Sequence, residues 1–403
     1  MKDKSGFIPG GGVTSPGGFL AGVTSAGINH HKEGSPDLGM LVSEVTGTAA
    51  AVFTGNLVKA APVVVSQRRV QGGKAAAVVV NSGCANACTG ERGLRDAGEM
   101  AELAARHAGV SPADVLVAST GIIGEWLPME RIRAAVPQIA LSAEGGHELA
   151  RAIMTTDTVP KEVAVRADEG NFVIGGTAKG SGMIHPDMAT LLCFLTTDAV
   201  VDVEFLRSAL REAVDTSFNM VTIDGDTSTN DMVLIIANGF SGGETIVSGS
   251  RQAEVFRQAL NEVCIYLARV IARDGEGATK LIEVNVNGAT SLTDARLVAR
   301  TIANSPLFKA AVHGSDPNWG RVIAAAGRSG VELSPDRLDL YIGSICLVKK
   351  GLQASFNRQE VVGLLDGDEV SVSLNLNLGN ASATAWGCDL SEEYVTINSE
   401  YTT

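Results

Sequence analysis

A threonine stands where a glycine-rich polar stretch gives way to a hydrophobic segment. The stretch KGSGMIHPDMATLLCFLTTDA begins at Lys179, and its hydrophobic half follows directly after Thr190. A threonine hydroxyl becomes a nucleophile when a neighbouring base activates it. Threonine is also common at the start of a strand, because its branched Cβ suits a pleated sheet. Residue type and position therefore make Thr190 a candidate nucleophile and leave a purely structural role open.

Two other features could assist a nucleophile. Ser119, Thr120 and Gly121 form a turn after the hydrophobic run DVLVA, and backbone N–H groups in such a turn can stabilise an oxyanion. His185 lies five residues before Thr190 and is a candidate base. No third group that would orient its imidazole can be identified, so local hydrogen bonding of His185 is the alternative. Neither feature defines a reaction by itself.

Two glycine-containing motifs resemble ligand-binding loops without matching them. AKGSGM lacks the spacing of a phosphate-binding loop, which needs four residues between its first Gly and a Gly-Lys-Ser/Thr. DGDTSTND, residues 224–231, has Thr229 where a calcium loop needs Gly and Ile235 where it needs Glu, so a tight Asp-Gly turn fits better. The histidines and cysteines show no metal-ligand spacing. The sequence therefore predicts no cofactor and no metal.

Composition and charge argue against several classes of protein. The 403-residue chain has a net charge of −13 and no cluster of Lys and Arg that could follow a phosphate backbone, so nucleic-acid binding is not expected. No apolar run reaches the roughly 18 residues of a membrane span. The N-terminus shows no secretory or transit pattern, and the scattered cysteines fit a reducing compartment. We predict a cytoplasmic protein without a membrane partner.

The elements that must position these residues alternate between strands and helices. Hydrophobic runs predict buried strands at Ala75–Val80, in DVLVASTGIIG and in MVLIIANG, and VAVRA and FVIGG predict a hairpin around residues 168–171. A helix with one apolar face follows Asp202, its candidate N-cap, and a long helix is predicted over residues 251–272. The first forty residues lack a period and are predicted to be irregular.

This mixture predicts an α/β fold with layered mixed sheets. The C-terminal third adds the strands LIEVNV, LDLYIGSICLV and DEVSVSLNLN and a helix near residues 294–303. The chain is long enough for two or three domains. We expect a catalytic α/β domain at 1–198, a middle α/β domain at 199–281 and a C-terminal α/β domain at 282–403.

Long motifs spread over nearly the whole chain resemble those of one known family. In the amino-terminal half they are GGVTSPGGFLAGVTSAGI, VFTGNLVKAAPV, VNSGCANACTG, VASTGIIGEWLPM and IMTTDTVPK. They continue with SFNMVTIDGDTSTNDMV, ARDGEGATKLIEV, SPLFKAAVHGSDPNWGRVIAAAGRSG and CDLSEEYVTINSEYTT. In this order they are similar to the ornithine acetyltransferase family, also called glutamate N-acetyltransferase, of arginine biosynthesis. The stretch KGSGMIHPDMATLLCFLTTDA resembles the self-cleaving junction of that family.

The resemblance implies a self-processing enzyme with an N-terminal threonine nucleophile. Family members cut their own chain before this threonine, here between Ala189 and Thr190, which leaves an α chain of residues 1–189 and a β chain that starts at Thr190. The freed α-amine, with a reference pKa of about 8, would then act as the base for the hydroxyl of the same residue. Thr120 and Gly121 match the oxyanion pair of the family.

The reaction that the resemblance implies is acetyl transfer without a cofactor. Thr190 takes the acetyl group of N2-acetylornithine and passes it to glutamate, in a ping-pong reaction that gives ornithine and N-acetylglutamate. The residues that match the family's substrate contacts are Thr155, Thr156, Lys179, Thr190, Glu276, Asn398 and the C-terminal Thr403, where one of the two adjacent threonines is expected to bind. The resemblance also implies an N-terminal-nucleophile-like fold, a smaller C-terminal α/β domain and an α2β2 assembly. Acetyl-CoA stays open as a second donor.

Two other functions stay open at this level. A self-processing aminopeptidase or amidohydrolase would share the nucleophile but pass the acyl group to water instead of an amine. A non-catalytic binding protein of the same fold would not cleave itself. Lys179 and Glu276, as partners for a carboxylate and an ammonium group, favour transfer between amino acids. The presence of Thr190, Thr120, Gly121 and Lys179 together argues against a binding protein.

Overall fold

The computed structural model describes residues 6–29, 34–185 and 191–400. Within these ranges the chain forms two mixed β-sheets with helices packed against them. The strands are β1 (Phe19–Thr24), β2 (Leu38–Phe53), β3 (Lys74–Asn81), β4 (Val115–Ser119), β5 (Lys161–Ala167), β6 (Phe172–Lys179), β7 (Leu192–Val201), β8 (Met232–Ile246), β9 (Leu281–Ala289), β10 (Asp339–Ile342), β11 (Ile345–Lys349), β12 (Leu352–Gln353), β13 (Glu369–Asn375) and β14 (Ala381–Cys388). The helices are α1 (Ala61–Val70), α2 (Gly90–Ala108), α3 (Met129–Ala135), α4 (Gly146–Ala152), α5 (Val203–Thr216), α6 (Arg251–Arg273), α7 (Leu292–Ala303), α8 (Pro306–His313), α9 (Trp319–Gly327), α10 (Arg358–Leu365) and α11 (Glu392–Glu400).

Strands β1 to β8 form the first sheet. Its order is β4-β3-β2-β8-β7-β6-β5, and β1 pairs with β2. β3 runs parallel to β4 and β7 runs parallel to β8, whereas the other pairs are antiparallel. Side chains of β3 alternate between two core clusters, with Ala77 and Val79 in one and Val78 and Val80 in the other. Because both faces of β3 are covered, its six residues 75–80, AAAVVV, are all apolar instead of alternating.

Helix α6 packs between the two sheets. Strands β9 to β14 form the second sheet in the order β12-β11-β10-β13-β9-β14. α6 contacts β5 and β6 of the first sheet and β9 and β14 of the second. Its buried residues Phe256, Leu260, Val263 and Leu267 recur at helical spacing and belong to a core cluster with members from both sheets. Burial of each of these side chains contributes roughly 1.5–3 kcal/mol. Because the cluster includes residues of both sheets, one continuous core joins them.

The structure confirms the predicted layered α/β fold with mixed sheets. The strand predicted at Ala75–Val80 is β3, the predicted hairpin is formed by β5 and β6, and the long helix is α6. Asp202 caps α5 as predicted, because its carboxylate accepts the N–H groups of Glu204 and Phe205. Residue periodicity and capping chemistry were sufficient for these elements.

Two predictions of local structure were wrong. Part of the first forty residues forms β1 and the beginning of β2. β1 has no hydrophobic period of its own and is stabilised by antiparallel pairing with β2. Gly22 in β1 permits a close approach, since a Cβ there would lie 2.2 Å from the Ala140 carbonyl oxygen. LDLYIGSICLV forms two strands, β10 and β11, around Gly343, whose φ of 55° favours glycine.

The predicted domain boundaries stay a prediction. β8, which lies within the predicted middle domain, sits between β2 and β7 in the first sheet. β9 opens the second sheet at Leu281, next to the predicted boundary at residue 281. In the described part of the chain, no helix is both long and apolar enough to cross a membrane.

Candidate active site

The segment with the predicted junction connects two neighbouring antiparallel strands. β6 ends at Lys179 and β7 begins at Leu192. Ala189 and Thr190, the predicted cleavage residues, and the C-terminal Thr403 lie outside the described residues. Leu191, which follows Thr190 directly, is described and is buried. The described flanks therefore define where the junction leaves β6 and where it enters β7.

A cavity of about 130 Å³ lies beside this segment. The predicted site residues that the structure describes all line it, and these are Thr120, Gly121, Thr155, Thr156, Lys179, Glu276 and Asn398. Thr120 and Gly121 follow β4, Thr155 and Thr156 precede β5, Lys179 ends β6, Glu276 follows α6 and Asn398 lies in α11. The folded chain therefore brings together positions that are far apart in the sequence.

The Ser-Thr-Gly turn after β4 is held by the loop that follows β3. Ser119 Oγ donates to Asn81 Oδ1 at 2.6 Å, and the Thr120 N–H donates to the Asn81 carbonyl at 3.0 Å. Gly121 has a φ of 130°, and a Cβ there would lie 2.2 Å from the Gly83 carbonyl carbon, so the turn requires glycine. The expected pair of backbone donors is incomplete, because the Thr120 N–H is already used. Among the described residues, the Thr120 hydroxyl and the Gly121 N–H are the donors of this turn that stay available.

Lys179 brings a buried cation to the cavity. Its side chain is almost inaccessible at 4% exposure, and its Nζ donates to Thr155 Oγ1 at 2.8 Å and to Thr120 Oγ1 at 3.4 Å. Burial lowers the pKa of Lys179, and the carboxylate of Asp157 acts in the opposite direction. A carboxylate bound by the Lys179 ammonium group would therefore lie next to the hydroxyl of the oxyanion turn.

Asp157 balances two buried lysines. Its Oδ2 lies 3.8 Å from Lys179 Nζ, and its Oδ1 accepts from Lys161 Nζ at 2.6 Å. Lys161, which is 1% exposed, also donates to Asp274 Oδ2 at 2.6 Å. Burial by itself would raise the pKa of Asp157, but Lys179 and Lys161 hold it well below its usual range. The Gly180 N–H donates to Asp157 Oδ1 at 2.6 Å, so the same carboxylate also holds the first residue after β6.

The two adjacent threonines of IMTTDTVPK are placed differently. Thr155 Oγ1 accepts from Lys179 Nζ, whereas Thr156 Oγ1 shares a hydrogen bond of 2.6 Å with Ser181 Oγ. Both residues line the cavity. The Thr155 hydroxyl can still donate its proton to a ligand that Lys179 attracts, because a hydroxyl both accepts and donates.

Glu276 supplies an acidic group to the same cavity. Its Oε2 accepts from Asn398 Nδ2 at 2.8 Å, and helix α11 carries Asn398 together with Tyr394. Burial and the nearby carboxylates of Asp224 and Glu276 raise the pKa of the Tyr394 hydroxyl. Gly182 faces Glu276 so closely that a Cβ there would lie 2.4 Å from the carboxylate. The cavity therefore presents both a cation and an anion to a ligand.

The segment 224–231, predicted only to form a turn, is part of the site. Its residues Asp224, Asp226, Ser228, Thr229 and Asn230 line the cavity. Asn230 Nδ2 donates to the carbonyls of Ala85 at 2.7 Å and Ser119 at 2.8 Å, which supports the oxyanion turn. The run of short polar side chains in DGDTSTND was the available signal, but the partners of Asn230 are more than a hundred residues away in the sequence.

The structure also describes His185, the candidate base, and allows a search for metal-binding clusters. His185 Nδ1 lies 3.2 Å from Thr222 Oγ1, which agrees with the local hydrogen bonding considered as its alternative role. Within residues 6–29, 34–185 and 191–400, no group of three or more His, Cys, Asp or Glu is arranged to hold a metal ion.

Comparison with known proteins identifies relatives of this chain over its whole length. Residues 20–403 match the model of the ArgJ family. The arginine biosynthesis bifunctional protein ArgJ of Dehalococcoides mccartyi is 52% identical over 405 residues, covering 100% of both chains. The protein of the same name from Symbiobacterium thermophilum is 54% identical over 397 residues, covering 98% of this chain and 99% of its own length. The chain belongs to the ArgJ family. The resemblance to the acetyltransferase family of arginine biosynthesis is thereby confirmed.

A solved structure of the ArgJ family covers about half of this chain. The crystal structure of the arginine biosynthesis bifunctional protein ArgJ from Bacillus halodurans is 45% identical, with a TM-score of 0.50. The match covers 51% of this chain and 97% of the solved chain. The solved chain therefore corresponds to about half of the present sequence.

Proposed function

We propose that this ArgJ-family chain transfers an acetyl group from N2-acetylornithine to glutamate, with Thr190 as the nucleophile. The observation that carries the proposal is the shared cavity, in which Lys179, the Thr120–Gly121 turn and Glu276 meet beside the segment that leads to Thr190. Lys179 suits a substrate carboxylate and Glu276 suits an ammonium group. Acetylornithine carries both of these groups together with an acetyl amide.

Thr190 becomes an N-terminal residue through self-cleavage. Its hydroxyl attacks the Ala189 carbonyl carbon, the acyl group moves from nitrogen to oxygen, and water hydrolyses the resulting ester. These steps leave a free carboxylate on Ala189 and a free α-amine on Thr190. The half-length ArgJ chain from Bacillus halodurans, which matches 51% of this chain, supports a chain that is divided in two.

Acetyl transfer then uses both groups of Thr190. The α-amine takes the hydroxyl proton as Thr190 Oγ attacks the acetyl carbon, and it passes that proton to the departing ornithine nitrogen. The Thr120 hydroxyl and the Gly121 N–H donate to the oxyanion that forms in each half-reaction. The amine of glutamate attacks the acetyl ester and releases Thr190. One amide is broken and another is formed, so the exchange requires no external source of energy.

The remaining predicted residues bind the substrate. Thr155 is favoured over Thr156 as the partner of the substrate carboxylate, because its hydroxyl is bonded to Lys179. Asn398, which is bonded to Glu276, and the terminal Thr403 are the other two residues proposed to contact the substrate. No cofactor is required by these steps.

The position of the cut supports continued association of the two chains. β6 lies before the cut and β7 after it, yet they pair along their length in the first sheet, so the two chains stay together after cleavage. We include an α2β2 assembly in the proposal, in the cytoplasm, where amino-acid biosynthesis supplies both substrates. The word bifunctional in the relatives' names supports acetyl-CoA as a second donor to the same threonine.

The first experiment is a denaturing intact-mass spectrum of the purified protein, followed by a transfer assay. Two chains, residues 1–189 and 190–403, are expected from the wild type, and one uncut chain from Thr190→Ala. A single wild-type species of 41.7 kDa would refute the mechanism. Label from acetylornithine should appear on glutamate. Release of free acetate at the same rate with and without glutamate would instead indicate an amidohydrolase.

A further inference from the structure

We propose that Asp224 and Asp231, the first and last residues of DGDTSTND, hold the two sides of the self-cleavage junction and position the bond between Ala189 and Thr190. Because this role presupposes self-cleavage, it rests on the proposed function. The two aspartates act through the backbone of the junction and are positioning residues, with no contact to the transferred acetyl group required.

Asp224 holds the chain before the junction. Its Oδ2 accepts the Met183 N–H, and its Oδ1 accepts the Ile184 N–H at 2.9 Å. The Ile223 N–H donates to the Ile184 carbonyl at 2.8 Å, and the Ile184 side chain is fully buried. Three hydrogen bonds and an apolar anchor therefore tie residues 183 and 184 to the beginning of the segment.

Asp231 holds the chain after the junction. Its Oδ1 accepts the Leu191 N–H at 3.0 Å, and the Met232 N–H donates to the Leu191 carbonyl at 3.0 Å. Because a peptide group is planar, a hydrogen bond to the Leu191 N–H orients the whole peptide group that joins Leu191 to Thr190. Asp231 therefore acts on the backbone of the predicted nucleophile itself.

The second carboxyl oxygen of Asp231, Oδ2, is also buried beside the junction. Asp231 is 1% exposed, and among the described residues its Oδ2 has no hydrogen-bond partner at normal distance, although the hydroxyls of Thr54 and Ser228 lie near its carboxyl. Such oxygens are rare in folded proteins because they have lost water without a replacement. Asp231 therefore keeps an acceptor for a second donor beside the Leu191 N–H. Asp224 already serves two consecutive N–H groups in this manner.

The segment between the two aspartates is itself fixed to the loop between β2 and α1. Thr54 Oγ1 donates to the Ser228 carbonyl at 2.7 Å, the Thr54 N–H donates to the Asp231 carbonyl at 3.1 Å, and the Ala60 N–H donates to the Thr229 carbonyl at 2.9 Å. Asn230 supports the oxyanion turn, as described above. One short segment thus holds both flanks of the scissile bond and the turn that stabilises its oxyanion, and such positioning has large effects on rate.

The test is the rate of self-cleavage after a short pulse of cell-free translation, followed by denaturing intact mass. We expect Asp231→Ala and Asp224→Ala to slow cleavage by about tenfold or more. Asp231→Asn should stay within about threefold of the wild type, because its amide oxygen can still accept the Leu191 N–H. Asp224→Asn should lie between these values, since only one of its two side-chain atoms is an acceptor.

The matched control is Asp198→Ala. Asp198 lies near the other end of β7, and its two oxygens accept the N–H groups of Val173 and Gly17. Like Asp224, it therefore binds two backbone N–H groups, but away from the junction. Asp198→Ala should cleave at the wild-type rate. Thermal melting of all variants fixes a temperature at which each is folded, and cleavage is compared there.

The outcomes separate this role from the proposed function. Wild-type cleavage rates in Asp224→Ala and Asp231→Ala would overturn the role of the aspartates and leave the proposed function intact. Equal slowing in Asp198→Ala would also overturn it, because slowing would then report general loss of structure. Cleavage in Asp231→Asn as slow as in Asp231→Ala would overturn the acceptor role of Asp231. A wild-type chain that never cleaves would refute the proposed function itself.

Discussion

Replacing Lys179 with methionine should remove the cation of the cavity and change little else. Methionine has a similar length and is apolar, so it fills the buried space that the lysine stem occupies. Asp157 keeps its two short hydrogen bonds, from Lys161 Nζ and the Gly180 N–H at 2.6 Å each, and loses only the Lys179 contact at 3.8 Å. The fold is therefore expected to persist while a bound substrate loses the partner of its carboxylate.

The size of the effect follows from the interaction that is removed. A hydrogen bond to a charged group contributes about 1.5–3 kcal/mol. Since about 1.4 kcal/mol corresponds to a factor of ten in rate, Lys179→Met should lower kcat/KM about 10- to 150-fold. Acetylornithine and glutamate both bring a carboxylate to the site, so KM should rise for both. kcat should change less, because the carboxylate is bound alike in the ground state and the transition state.

The assay is the initial rate of acetyl transfer with each substrate varied in turn. Lys349→Met is the control, because Lys349 is exposed and pairs with Asp339 at 2.8 Å in the second sheet. Intact mass must first show that Lys179→Met is cleaved as completely as the wild type. Unchanged KM values for both substrates in that cleaved protein would refute the reasoning, as would an equal loss of activity in Lys349→Met.

Three further changes test other parts of the site. Gly182→Ala should raise the KM for acetylornithine, because its Cβ would lie 2.4 Å from the Glu276 carboxylate, whereas Gly98→Ala, with nothing within 4 Å of its Cβ, should leave the kinetics unchanged. Asp157→Asn should lower the free energy of unfolding in urea by about 3–5 kcal/mol at neutral pH, since it leaves two buried lysines short of an anion. The folded-state pKa of Asp157 is depressed, so its stabilisation is present above the unfolded pKa of about 3.9 and is lost as pH falls below it. Asn398→Leu should raise KM about 2- to 10-fold by removing the 2.8 Å hydrogen bond to Glu276.

Each of these changes has an outcome that contradicts it. A KM for acetylornithine in Gly182→Ala that matches Gly98→Ala would show that Glu276 does not contact the substrate. If Asp157→Asn and the wild type differ by the same free energy of unfolding at pH 7 and at pH 3, a depressed pKa of Asp157 is excluded as the cause of the lost stability. An unchanged KM in Asn398→Leu would remove the Glu276 contact from the account of binding.

Elements whose residues carry a local signal were predictable. Residues 75–80 of β3 form a continuous apolar run because both faces of the strand are covered, and α6 places Phe256, Leu260 and Val263 on one side of a helix. β1 escaped prediction because its stability comes from pairing with β2, and a pairing partner leaves no period in the strand itself. The division of LDLYIGSICLV into two strands depends on the left-handed conformation of Gly343.

The sequence by itself determined the family, the candidate nucleophile at Thr190 and the residues expected around it, because these depend on residue types and on motifs that follow the family's order within one chain. Only the tertiary structure decided that Thr120, Lys179 and Glu276 line one cavity, and that Asp224 and Asp231 hold the flanks of the junction. It also decided that the Thr120 N–H is used by Asn81, which leaves the hydroxyl as the donor. The physical reason is that these contacts join segments far apart in the sequence. Their geometry is set by strand pairing and by the shared core, and neither is encoded in the residues of any single segment.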